Sequence, residues 1–133
     1  MTPHPLAQRA QQAVQRGDLQ DAVSALDELL RLAPQDHDAW HVLAMVQVRL
    51  GNAGLALPAI GHAVALDRHN AEYFNTQGVV LAESGAPQEA VASFRESIRL
   101  RPTHANAHYN LGKAQQKCGR FDEAIDEIGR AHV

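Results

Sequence analysis

Residues 71–104, AEYFNTQGVVLAESGAPQEAVASFRESIRLRPTH, decide the fold. Apolar side chains recur at helical spacing on both sides of Gly85, and that spacing marks helices that bury one side. Gly85 stands just past the last periodic apolar residue of the first segment, where a left-handed backbone closes a helix without a Cβ clash. Pro87 suits the first turn of the second segment, and Pro102 stops it because proline cannot continue the hydrogen-bond ladder. The stretch predicts helix, turn, helix.

Working outward, the same phase returns along the chain. Gly17, Gly51, Gly85 and Gly119 are spaced 34 residues apart, as are Ala22, Ala56, Ala90 and Ala124. A fixed period of this length marks a repeat array, with frames 3–36, 37–70, 71–104 and a shortened 105–133. Start signals agree with the frames: Asp36 and Asn70 precede first helices, and Asp18 and Asn52 precede second helices, as residues that satisfy helix-start N–H groups should.

The period, together with Phe74, Gly78, Leu81, Ala90, Phe94 and Pro102, resembles the tetratricopeptide repeat, with Gln77 standing where that family has leucine. The resemblance implies an all-α fold, a right-handed superhelical solenoid of antiparallel helix pairs, as a single domain over residues 1–133. Repeat one matches least, with Leu6, Arg9, Ala10 and Ala13 at its signature positions, and reads as an N-terminal cap. Repeat two carries Trp40, Leu43, Ala44, Ala56 and Ile60, but Pro58 conflicts with its second helix. A proline inside a helix costs on the order of 3 kcal/mol, so that helix is expected to start late, near Leu55, or to kink. Repeat four reads His108, Leu111, Gly112, Phe121, Ala124, Ile125, Ile128 and Ala131 and stops at Val133. A solenoid end normally carries a polar cap; its lack predicts either a piece of a longer protein or self-association through the last repeat.

Composition narrows the function classes. Hydrophobic residues make up 45% of the chain but aromatics only 5%, an alanine-rich balance that suits closely stacked helices. A net charge of -3 leaves no extended basic surface for phosphates, so nucleic acid is not an expected partner. The lone Cys118 rules out an internal disulfide and, with no signal peptide at the start, points to the cytoplasm. No stretch reaches the roughly 20 apolar residues of a membrane crossing, so no membrane partner is expected.

No P-loop, Gly-rich dinucleotide turn, zinc-protease or Cys-x-x-Cys pattern is present, and the chain reads as non-enzymatic, with no cofactor. His37 with His41 and His104 with His108 are each four apart and could share a helix face. Two ligands fall short of the four of a structural zinc site, so no metal is expected. His37 and His104 read instead as helix-start residues and His108 as a packing residue. Trp40, Tyr73, Phe74, Phe94 and Phe121 read as core.

In the family resembled, first helices line a concave groove that holds a peptide or a partner's helix. The matching residues here are Asp38, His41, Val42, Met45 and Arg49; Glu72, Asn75, Thr76, Val79 and Glu83; and Asn106, Tyr109, Asn110, Lys113 and Lys117. Asn75 and Asn110 suit anchoring of a peptide main chain, and Tyr109 suits a binding hot spot. The resemblance thus implies a protein-protein interaction scaffold. The alternative is a substrate-recognition or dimerisation arm of a larger enzyme such as a repeat-linked glycosyltransferase. The clamp that some family members use for a carboxy terminus is not matched, since Ala7, Gln11, Val42, Glu72 and Thr76 hold its positions in one register and His41, Met45, Thr76, Asn106 and Asn110 in the other. Lys113 and Lys117 still favour an acidic ligand. A second surface, uncharged, is expected on the outward side of repeat two's second helix: Gly54, Leu55, Pro58, Ala59, Gly61, His62 and Ala65.

Overall fold

The computed structural model describes residues 3–119 and 127–130. Seven helices occur among them: α1 (Pro5–Arg16), α2 (Leu19–Leu32), α3 (His37–Arg49), α4 (Ala53–Leu66), α5 (Ala71–Glu83), α6 (Pro87–Leu100) and α7 (Ala105–Lys117). Residues 127–130 are also helical, and no described residue is in a strand. The fold is all-α and built from helix pairs, as expected. Phe121, Ala124, Ile125, Ala131 and Val133 lie outside the described residues.

The glycine period has its predicted cause. Gly17, Gly51, Gly85 and Gly119 all have φ between 76° and 80°, and no described non-glycine residue has positive φ. At Gly17 the next residue, Asp18, donates its N–H to Ala13 O at 2.9 Å while Gly17 donates to Val14 O at 3.0 Å. These two bonds satisfy carbonyls that the ended helix leaves without partners. Asp18, Asp36 and Asn70 each accept from the N–H three residues on, in Asp21, Ala39 and Tyr73.

Asn52 is different. It makes no capping bond, and its amide donates instead to Gln47 Oε1 at 3.0 Å. Nor does α4 start late: it begins at Ala53 with Pro58 inside. The N–H that proline lacks would have bonded to Gly54 O, and both residues lie on the exposed side of the helix, so water is at hand for the orphaned carbonyl.

The described chain forms two compact units, one up to Asp67 and one from Arg68. In the first, α1 packs on α2, α2 on α3 and α3 on α4; in the second, α5 packs on α6, and α7 on both. The first core holds Ala10, Ala22, Leu26, Leu29, Leu43, Ala44, Ala56 and Ile60, and the second Tyr73, Val80, Leu81, Ala90, Phe94, Ala107 and Leu111. Phe94 is 1% exposed, a burial that stabilises by about 1.5–3 kcal/mol.

Two expectations about burial are corrected. Trp40 and Phe74 are half-buried rather than buried. The Trp40 ring stacks on His62 with centroids 4.3 Å apart, and its Nε1 donates to Pro34 O at 2.8 Å; a ring held by its edge and one face keeps part of its surface in water. Ala59, expected to face outward, is buried at 3% exposure. Gln77, where leucine was expected, accepts from Ser93 Oγ at 3.1 Å, so a polar pair between α5 and α6 replaces an apolar contact.

Candidate functional site

The first helices of each unit bring together part of the predicted set. In the first unit, α1 and α3 line a cleft of about 670 Å³ with help from α2. Asp38, Val42 and Met45 of the predicted residues lie on it, beside Ala7, Gln11, Val14 and Gln15 of α1 and Leu26 and Leu29 of α2. Met45 is 41% exposed, although apolar side chains of its size are usually covered. Asp36 and Asp38 stand at the start of α3 and also line the cleft. His41 and Arg49 do not line it; His41 is half-buried and Arg49 exposed.

The α1 contribution was missed because repeat one reads as a cap. A signal was nevertheless present: Ala7, Gln11 and Gln15 lie 34 residues before His41, Met45 and Arg49, so they hold the same frame positions. Repeat one departs from the family at the positions that pack, and not in the direction its first helix presents.

In the second unit a smaller cleft of about 100 Å³ gathers Val79, Glu83, Asn110, Lys113 and Lys117 with Ala82 and Phe94. Lys113 Nζ sits 5.5 Å from the centroid of Tyr109, a cation–π spacing, and Tyr109 is 44% exposed. Asn106 is exposed but lies apart from this cleft.

Asn75 and Thr76 are not offered to solvent as expected. They are 6% and 9% exposed, because α7 packs beside α5. Asn110 Nδ2 donates to Asn75 Oδ1 at 3.2 Å. The two amides expected to hold a peptide are thus joined to each other.

The histidines have structural partners. His104 Nδ1 accepts from Ala107 N–H at 3.3 Å and caps α7. The ring proton therefore sits on Nε2, which donates to Glu72 Oε2 at 3.0 Å. His108 is buried, with Nε2 2.8 Å from Pro102 O and Nδ1 2.8 Å from Glu127 Oε2. A carbonyl can only accept, so Nε2 is the donor there. Among the described residues no three His, Cys, Asp or Glu side chains are grouped to hold a metal ion, and no helix is long and apolar enough to cross a membrane.

Among the described residues two exposed ion pairs shift their members' titration, Glu96 with Arg99 within α6 and Arg9 with Asp21. Arg9 of α1 grips Asp21 of α2 through Nε and a terminal nitrogen. The hydrogen bonds from Arg9 are the main reason that the Asp21 carboxyl is held below its ordinary value, against a smaller desolvation effect.

Sequence profiles of the tetratricopeptide repeat family match residues 3–46, 41–105 and 81–131. Anaphase-promoting complex subunit 3 of Schizosaccharomyces pombe is 31% identical over 104 residues, which is 78% of this chain but 16% of that protein. MamA from Desulfovibrio magneticus RS-1 superposes with a TM-score of 0.92 at 22% identity, covering 98% of this chain and 74% of that one. YrrB, described as a TPR protein with an unusual peptide-binding site, superposes with a TM-score of 0.85 at 27% identity over 92% of this chain and 63% of its own. The 34-residue period, the glycine-closed helix pairs and these matches together place the chain in the tetratricopeptide repeat family.

Proposed function

We propose that this chain is a protein-interaction scaffold that binds a peptide or a segment of a partner protein on the faces lined by its first helices. The observation that carries the reading is the cleft of about 670 Å³ between α1 and α3, within the size range of binding sites and lined mainly by apolar side chains. The exposed Met45 and Tyr109 support it, since methionine and tyrosine are enriched at interfaces and tyrosine among their hot spots. The peptide-binding site named for YrrB is in keeping with this reading.

Selection of peptides from a random display library against the intact chain tests it. Selected peptides are expected to lose binding to Val42→Glu or to the double variant Tyr109→Ala, Asn110→Ala, and to keep it with Glu89→Lys on α6. Peptides that bind all these variants as well as the parent chain would show that ligands sit elsewhere.

A further inference from the structure

The second helices of the first unit carry a surface that neither cleft uses. Leu55, Pro58, His62, Ala65 and Leu66 of α4 are all exposed, and their spacing of three or four residues puts them on one stripe of the helix. No Asp, Glu, Lys or Arg occurs in α4, whereas α1, α2, α3, α5, α6 and α7 each hold at least one. Single exposed leucines are ordinary, but Leu55, Pro58 and Leu66 in one uncharged stripe form a patch, and contiguous apolar patches mark surfaces that associate. Leu55 keeps 59% of its surface in water.

The stripe continues onto α2. Asp27, Leu30 and Arg31 of α2 and Trp40 of α3 line a cleft of about 390 Å³, and the Trp40 ring joins it to the stripe by stacking on His62. Asp27 and Arg31 are exposed and one turn apart, and among the described residues no ion pair or hydrogen bond engages either of them. Opposite charges so placed are complementary to themselves. Where the same helix of a second copy runs antiparallel across a two-fold axis, residue i meets j and j meets i, so Asp27 of each copy faces Arg31 of the other. An axis perpendicular to the helices and lying in the contact plane also lays α4 on α4, where no like charges oppose. Gly61 is suited to that approach: a β-carbon on it would meet nothing within 4 Å, so packing inside the chain does not call for its bare backbone.

We infer that the α2/α4 face of the first unit is a homodimer interface, covered by the same face of a second copy. The uncharged stripe supplies the buried area, and the two Asp27–Arg31 pairs fix the antiparallel register. A chain of net charge -3 repels its copies at long range, and this face lets them meet without opposing like charges. A strongly charged partner of another kind would find nothing on α4 to pair with.

Trp40 is the only tryptophan of the chain, so its emission reports on this face. In a dilution series of the intact chain, sedimentation velocity is expected to show dimer giving way to monomer, and the emission should move to longer wavelength over the same concentrations as the ring gains water. Leu55→Glu should weaken association at least about tenfold by burying unpaired carboxylates. Asp27→Arg and Arg31→Asp should each weaken it to a similar degree, because like charges then meet across the axis. An equimolar mixture of these two variants should dimerise again, since every contact between them joins opposite charges. Glu89→Arg on α6 should leave the association unchanged.

A chain that stays monomeric at millimolar concentration would overturn the proposal. So would dimers whose emission does not move on dilution, which would place the contact on another face. Charge variants that remain apart when mixed, with circular dichroism matching the parent, would show that α2 does not face α2 and would equally reject it. Should either charge variant fail to fold, Leu55→Glu and the emission of the parent chain still decide the matter.

Discussion

Phe94 fills the space that a side chain on Gly78 would need: a β-carbon there would lie 2.3 Å from Phe94 Cε1. The equivalent pairs in the first unit are Ala10 with Leu26 and Ala44 with Ile60, all buried. Where the second helix supplies an aliphatic side chain, alanine suffices opposite; where it supplies a phenyl ring, only glycine fits.

Gly78→Ala tests this. Alanine in a helix would gain up to about 1 kcal/mol over glycine, but overpacking a closed core costs about 1–3 kcal/mol, and the buried ring cannot swing into solvent. We expect net destabilisation in urea unfolding, partly relieved when Phe94→Leu is added, with a coupling of about 1 kcal/mol. Additive effects would show that the ring and the glycine are not in conflict.

Trp40 and His108 hold one frame position, and each donates a ring N–H to the carbonyl of the proline six residues earlier at 2.8 Å. Trp40→Phe should cost about 0.5–1.5 kcal/mol, the net value of one hydrogen bond with water near. Trp40→Ala should cost about 2 kcal/mol, less than a fully buried tryptophan, since part of the ring stays in water. His108→Phe should cost more than Trp40→Phe, about 2–3 kcal/mol, because it also strips a partner from the largely covered Glu127. Equal costs for the two phenylalanine variants would mean that Glu127 contributes nothing.

Pro58 stands inside α4 without a compensating late start. Pro58→Ala should restore the bond to Gly54 O and raise stability by about 1–3 kcal/mol. Thermal unfolding reads this directly, and an unchanged or lower Tm would show that the ring makes contacts worth as much as the bond.

Asp21 gives a pH test with a defined sign. Its folded carboxyl titrates below the ordinary value through the Arg9 hydrogen bonds, so its contribution is present above the unfolded pKa and is lost as pH falls through the folded one. Asp21→Asn should therefore lower Tm slightly at neutral pH, and the difference should shrink as pH falls through and below the ordinary carboxylate range. The pair is exposed, so the difference should also shrink with salt. A Tm gap that persists in acid would assign the loss to something other than charge.

The one-dimensional part of this molecule was legible in its residues: the period, the helix pairs, the four left-handed glycines and the caps at Asp18, Asp36 and Asn70 depend on neighbours within five positions. Such local rules repeat with the frame, and the resemblance to the family rests on them. Tertiary packing decided the rest. Asn75 and Thr76 share a face with exposed residues, and only the approach of α7 covers them and ties Asn75 to Asn110. Asn52 looks like any other cap until Gln47 takes its amide. The cleft in the first unit arises because Ala7 and Gln11 of an atypical repeat face Val42 and Met45, and shape and charge between two helices are properties of side chains far apart in the chain. That is why the family resemblance implied a groove, while the acidic, apolar character of its first part emerged from the fold.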